Sequence, residues 1–357
     1  MAGHGVYGCT FIPAPRCANG SVFKEVHGLP AVGKITIENT DDELHIGQAL
    51  MGLPLADLYF ALPTDECEPA QLPRAVTKDC PVMTENPSAK LNMLIMPDGG
   101  KTMDDYMTDP ERCMTNMKKI LIHLLEGGII YQDAGYVHND IHPGNILVDK
   151  FNIARYIDFG LGFKIAEVKR WSDANLGRTF KAKYLWTAPE IHALRMIPSG
   201  YDLRKGVAEL REHDEYRAIE RWFVTDAEAD LQRVVERTGQ SDEALGAFLR
   251  EHGKKIDCWR IGLLMLSLWR EMLHVAPIQF KLSEVYKDKA VRDVIRGLTR
   301  FDPVDRWSFT HALRQLSPAS PILPLAAPIE PKAPVEANKP VEANKPVEAN
   351  KPPIEPA

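Results

Sequence analysis

The sequence has no C-x-x-C pair, no histidine cluster at zinc-binding spacing and no apolar run of the roughly eighteen residues that a membrane span needs. It also has no apolar leader: the first residues read Met-Ala-Gly-His-Gly-Val-Tyr-Gly. Each absence excludes a class. The six scattered cysteines (Cys9, Cys17, Cys67, Cys80, Cys113, Cys258) read as small, buried or partly buried thiols, neither zinc ligands nor a disulfide framework. Without leader or span, the expectation is an intracellular protein in a reducing compartment, with no membrane partner. Excess basic charge is missing too, since 43 Lys and Arg face 49 Asp and Glu for a net charge of −6. That balance gives no reason to expect nucleic acid or an anionic membrane as the main partner. The rest is ordinary for a globular protein. Of 357 residues 45% are hydrophobic and 26% charged, ample for one large domain or two lobes around a cleft.

Periodicity divides the chain. The first sixty residues predict short strands and turns, with Ala31 to Ile37 β-rich and a helix from about Thr40 toward Leu50. Residues 62–90, rich in Pro, Asp, Glu and Thr, predict loop; Leu91 to Met96 predicts a strand that Pro97-Asp98-Gly99-Gly100 ends. Met117, Ile120, Leu121, Leu124 and Leu125 mark one helix face, and two short strands at 145–148 and 153–157 flank the turn Asp149-Lys150. Beyond Glu190 the pattern is mostly helical. Thr225 with Glu228 reads as a capping box for a helix that Gly239 stops, and Ser241 caps another that ends at Gly253. Ile261 to Trp269 reads as a buried helix. From residue 317 proline dominates, and the hexad Pro-Val-Glu-Ala-Asn-Lys starts at Pro334, Pro340 and Pro346. This predicts a disordered spacer, the alternative being a docking site for an unknown partner.

The strongest chemical signal is Val137-His138-Asn139-Asp140-Ile141-His142-Pro143-Gly144-Asn145, with Asp158-Phe159-Gly160 thirteen residues after Asn145. Phosphoryl transfer needs a carboxylate beside the acceptor hydroxyl and two oxygen ligands that hold Mg²⁺ on the phosphates. Asp140 suits the first role, Asn145 and Asp158 the second, because magnesium takes few hard protein oxygens and keeps water and phosphate. The plainer alternative is an ordinary strand–turn–strand with incidental polar residues. Gly3-His4-Gly5-Val6-Tyr7-Gly8 matches G-x-G-x-x-G, a spacing that dinucleotide-binding folds share, but no strand precedes it here and no helix pattern follows.

In these residues the chain resembles the protein-kinase superfamily, whose pattern is H-R-D-x-x-x-x-N followed by D-F-G. The resemblance implies an α+β fold of two lobes: a β-rich lobe over about 1–97, a mainly helical lobe over about 98–316, an insertion over about 192–254, and the tail 317–357 outside both. It implies ATP with Mg²⁺, or Mn²⁺ in its place, and protein substrates phosphorylated on serine or threonine. Gly3, Gly5 and Gly8 would cover the phosphates, Lys34 would bind them, and Glu43 would pair with Lys34 unless it only caps its own helix behind Thr40. Adenine would lie by Leu94 and Met96. Ala188-Pro189-Glu190 matches A-P-E, Asp257-Cys258-Trp259-Arg260-Ile261-Gly262 matches D-x-W-x-x-G, and Arg306 is placed to pair with Glu190. There Asp257 would hold the catalytic-loop backbone. The sixty-six residues between Glu190 and Asp257 and the His-Asn-Asp-Ile-His-Pro-Gly-Asn loop are similar to serine/threonine kinases of large DNA viruses, which implies host cytoplasm or virion.

Three departures matter. Asn139 replaces the arginine that contacts a phosphorylated activation segment, so phosphorylation of Ser172 or Thr179 is not expected to be required. His142 stands where lysine is usual and would contact a γ-phosphate oxygen; His-Pro-Gly-Asn also resembles aminoglycoside- and choline-type kinases. Lys181-Ala182-Lys183 replaces a Gly-Thr that seats the peptide. The rival readings are therefore a small-molecule kinase and a catalytically silent kinase-like binding module.

Overall fold

The computed structural model describes residues 3–4, 8–37, 40–73, 77–86, 88–174, 180–196, 200–223, 225–238 and 241–323. Gly5, Thr179, Gly239 and the hexad repeats lie outside the described residues.

An antiparallel sheet opens the chain. It comprises β1 (Gly3–His4), β2 (Gly8–Phe11), β3 (Glu25–Val26), β4 (Leu29–Thr36), β5 (Asp65–Cys67) and β6 (Asn92–Pro97), in the order β1-β2-β4-β6-β5 with β3 on β4. Strand alternation gives β4 two faces. Ala31 and Ile35 pack with Met93 and Ile95 in one small core, while Val32 joins Leu94, Met96 and Leu44 on the other face, which Lys34 shares. Helix α1 (Asp41–Met51) lies after β4, and an added Cβ on its Gly47 would fall 2.3 Å from the carbonyl oxygen of Pro63, so only glycine permits that approach.

The cysteines depart from expectation. Cys9 pairs with Cys80 and Cys17 with Cys67, both as disulfides, while Cys113 and Cys258 are free and buried. Spacings of 71 and 50 residues give no local signature, and the small core around Phe11 and Ile95 is cross-linked where apolar mass is short. The bonds require an oxidising setting when they form, which corrects the reading of unpaired thiols.

The larger part is mainly helical. After β7 (Lys101–Thr102) comes α2 (Pro110–Asp133), started by Asp109, whose side chain accepts from the Arg112 amide, and by Pro110 at a position that needs no donor. Then follow β8 (Tyr136–Val137), β9 (Ile146–Val148), β10 (Ala154–Tyr156) and β11 (Phe163–Lys164). From the A-P-E onward the longer helices, of eight residues or more, are α3 (Pro189–Met196), α4 (Leu203–Leu210), α5 (Asp214–Phe223), α6 (Ala227–Thr238), α7 (Asp242–His252), α8 (Lys254–Val275), α9 (Lys289–Leu298) and α10 (Phe309–Leu316). Residues from Leu50 in α1 to Phe309 in α10 share one apolar core, with α8 buried along most of its length. An α+β chain with a small sheet and a larger helical part is compatible with the two-lobed arrangement expected.

Four helices, α4 to α7, occupy the stretch where two were read. Helix α6 begins later than the Thr225 cap predicts: the Asp226 carboxylate accepts from the amides of Glu228 and Ala229, and the Thr225 hydroxyl donates to Asp230 instead. Ser241 does cap α7, accepting from the Ala244 amide. Packing also continues past residue 316, since Ile322 is buried and the Ser320 hydroxyl donates to Glu126 at 2.6 Å. Among the described residues no helix is long and apolar enough to cross a membrane.

Candidate active site

Strand β4 carries Lys34 toward α1. Its Nζ lies 2.9 Å from both Glu43 carboxylate oxygens and 3.1 Å from Asp158 Oδ2. Glu43 is therefore turned to the lysine, and Thr40 makes no cap with its side chain, its hydroxyl donating to Glu66 at 2.7 Å. Burial works against charge on the Lys34 ammonium, but Asp158 and Glu43 outweigh it and hold its pKa above the ordinary lysine value. Burial likewise opposes charge on Asp158, and the lysine and the Gly160 amide outweigh it, holding that carboxyl below the usual range. Both groups are thus charged over the neutral pH range.

Beyond β8 the chain from His138 to His142 has no regular structure of its own, and α8 gives it one. The buried Asp257 carboxylate accepts from the amides of His138 (2.7 Å) and Asn139 (2.9 Å) and from the Tyr131 hydroxyl (3.0 Å). Asn139 turns the chain at φ +59°, a left-handed conformation that asparagine adopts more readily than most residues. Burial pushes the His138 imidazole down, so it is neutral; Nδ1 accepts from the Asp140 amide (3.3 Å) and Nε2 donates to the Ile157 carbonyl (2.9 Å). One ring thereby joins the loop to the residue before Asp158.

Asp140 meets four neighbours. Oδ1 accepts from the Tyr184 hydroxyl at 2.9 Å and from Arg260 Nη1 at 3.3 Å. Asn145 Nδ2 donates to the Asp140 carbonyl at 2.9 Å and reaches Oδ2 at 3.4 Å, while His142 Nε2 is 3.9 Å from Oδ2. His142 Nδ1 accepts from the Gly144 amide, which aims the other nitrogen toward that oxygen without a hydrogen bond.

The hairpin β9–β10 brings Asn145 and Asp158 together. Ile146 faces Tyr156 in register, and the next amide, that of Ile157, donates to the Asn145 carbonyl at 3.1 Å. Asp149 fixes the turn by accepting from the amides of Phe151 and Ile153 and pairing with Arg155. Asn145 spends its amide NH₂ on Asp140, so its Oδ1 is the atom it has to offer a cation; Asp158 offers carboxylate oxygens beside Lys34. Among the described residues no three His, Cys, Asp or Glu side chains group as a self-sufficient metal site. Two hard oxygens beside the Lys34 ammonium nevertheless suit Mg²⁺, which completes its shell with water and phosphate.

The remaining expected residues are placed less directly. Leu94 and Met96 lie opposite Lys34 and Val32 in the β4–β6 register, on the face shared with Leu44, and Leu94 has its backbone enclosed between β4 and β5. The first backbone beyond the strand pairing is at Asp98 to Gly100, where Asp98 already donates its amide to Pro30. Gly3 pairs with Thr10 and Gly8 with Thr36, so both belong to the sheet, while Gly5 lies outside the described residues. Ser172 is exposed, its hydroxyl 3.4 Å from Asp242.

Two supports follow the resemblance closely. Besides the Asp257 clamp, Arg306 forks onto Glu190 through two 2.7 Å bonds, with the side chains 0% and 1% exposed. Two contacts were missed. Tyr184 directly follows the Lys181-Ala182-Lys183 departure, and Arg260 lies three residues after Asp257, a spacing that puts both on one helix face. A second charged side chain on the buried face of α8, in a chain lacking the usual arginine at 139, was the available signal.

No protein-family model matches the chain. Similar proteins include Ephrin type-A receptor 8 of Rattus norvegicus, 29% identical over 143 residues that make up 39% of this chain and 37% of the receptor. Ephrin type-A receptor 5 of Gallus gallus is 27% identical over 144 residues, 39% of this chain and 14% of the receptor. MAP kinase kinase kinase SSK2 of Saccharomyces cerevisiae is 44% identical over 45 residues, 13% of this chain and 3% of that protein. The chain thus spans well under two thirds of each relative. These partial likenesses point to a protein-kinase-like superfamily and are distant.

Proposed function

We propose that the protein is an ATP- and Mg²⁺-dependent protein kinase that phosphorylates serine or threonine hydroxyls. The observation that carries this is the convergence of Asp140, Asn145 and Asp158 beside the Lys34–Glu43 pair. In this reading Asp140 orients the acceptor hydroxyl and takes its proton as the oxygen attacks the γ-phosphorus and ADP leaves. Lys34, held by Glu43, binds the α- and β-phosphates; Leu94 and Met96 supply apolar surface near adenine, and Gly3, Gly5 and Gly8 flank the phosphate flap. Asn145 and Asp158 would hold Mg²⁺, which neutralises charge on the phosphates. His142, turned toward Asp140, would meet a γ-phosphate oxygen. Tyr184 now occupies Asp140 Oδ1, so an incoming hydroxyl has to displace it.

The His-Asn-Asp-Ile-His-Pro-Gly-Asn loop and helices α4 to α7 support grouping the chain with kinases of large DNA viruses. Of host cytoplasm and virion, the disulfides favour the virion, an oxidising setting. The test is transfer of labelled phosphate from ATP to basic proteins, and separately to small alcohols and amines. We expect protein labelling that Asp140→Ala lowers roughly 10²–10⁴-fold. Equal labelling by the variant would leave a binding module, and label on small acceptors alone a small-molecule kinase.

A further inference from the structure

Helix α8 contacts the loop in two ways. Asp257 holds backbone, bonding the amides of His138 and Asn139. One turn on, the hydrogen bonds of Arg260 among the described residues go to side chains: Nη1 reaches Asp140 Oδ1 at 3.3 Å and Nη2 reaches Asn139 Oδ1 at 3.4 Å. Its side chain is 4% exposed, and its buried Nε finds no acceptor among the described residues. Burying a guanidinium with one N–H unmatched costs stability, so fold support alone is a poor account of it. Asn139 completes the arrangement by donating through Nδ2 to the Leu161 carbonyl at the start of the segment after Phe159-Gly160.

We propose that Arg260 is the positioning residue for Asp140, supplying from α8 the cation that the loop lacks at Asn139. This rests on the phosphotransfer reading above. Asp140 is short and its Oδ1 is gripped from two elements, by Arg260 of the buried helix and by Tyr184 of the segment before the A-P-E. The tyrosine is 41% exposed and can leave when an acceptor arrives, whereas the arginine cannot. A planar guanidinium fixed on the buried helix then keeps the carboxylate aimed throughout turnover. Asn139 passes one contact to Leu161 and takes one from Arg260.

The test compares Arg260→Met, which keeps the bulk, with Arg260→Lys, which keeps the charge, and Arg260→Gln, which keeps polarity only. Arg260→Met is expected to lower kcat ten- to a hundredfold while KM for ATP and for the protein acceptor stay within twofold, because Arg260 touches neither. Arg260→Lys should recover at least fivefold over Met or, if the Met protein does not fold, exceed Gln by that factor. Combined with Asp140→Asn, the Met substitution should cost less than the product of the two separate losses. A folded Met variant with kcat within twofold of the parent, or a Lys variant no better than Met and Gln, overturns the proposal. Asp140→Ala is assayed alongside: if it too keeps full transfer, the phosphotransfer reading falls as well, whereas its loss with Arg260→Met unaffected sinks only the positioning role.

Discussion

In the sheet region the disulfide-side core holds ten buried residues, three of them half-cystines, whereas the helical region shares one apolar core that runs from α1 through α8 to α10. The first holds Lys34 in place by covalent ties around a thin sheet. The second carries two buried charged devices, the Asp257 carboxylate on the loop amides and Arg306 on Glu190, inside a core large enough to offset their desolvation. A small layer gains most from restricting its unfolded chain, while a large one can carry buried charge. The two regions thus have different weak points.

The sharpest way to break the comparison is at Arg306. Arg306→Met leaves the buried Glu190 carboxylate unpaired and should cost about 3–5 kcal/mol, with the double variant carrying Glu190→Met costing less. Arg306 lies over the Trp259 ring, so fluorescence during denaturant melts reads this loss directly. Reduction of the disulfides attacks the other side. Spacings of 71 and 50 residues set an upper limit of about 4 kcal/mol per bridge from loop entropy. All six tryptophans lie between Trp171 and Trp307. Reductant should therefore raise hydrogen exchange at β2 and β4 and weaken nucleotide binding while the tryptophan transition barely moves; a joint shift would show the two regions to be one cooperative unit.

The smallest effect is acid sensitivity. Burial lowers the His192 pKa from 6.5 to about 3, with Arg195 adding to it. Between those values the unfolded chain binds a proton that the folded one refuses, so stability is full above pH 6.5 and is lost as pH falls, by roughly 2 kcal/mol at pH 5. Melting temperature against pH should be flatter for His192→Leu than for the parent between pH 7 and 5.

Much of the loop was legible because its chemistry fixes short-range spacing: five residues from Asp140 to Asn145, thirteen more to Asp158, joined by one hairpin. Partners distant in sequence were legible only where a motif flanked them, as with Asp257 and Arg306. The disulfides were not, because their pairing depends on how β2 and β5 lie in space, and scattered cysteines carry no register. The α6 start slipped because Asp226, beside Thr225, is an equally good cap. Tyr184 and Arg260 escaped because meeting on one oxygen of Asp140 depends on tertiary placement, which no periodicity encodes.

The distance along the chain between the loop and its anchor has a bearing on synthesis. His138 takes its shape from a carboxylate 119 residues later. A nascent polypeptide that ends before residue 257 would already carry Lys34, Asp140 and Asp158, yet its loop would lack the carboxylate that holds the His138 and Asn139 amides. Competence would therefore arrive late on the ribosome, as a threshold crossed when α8 emerges and docks.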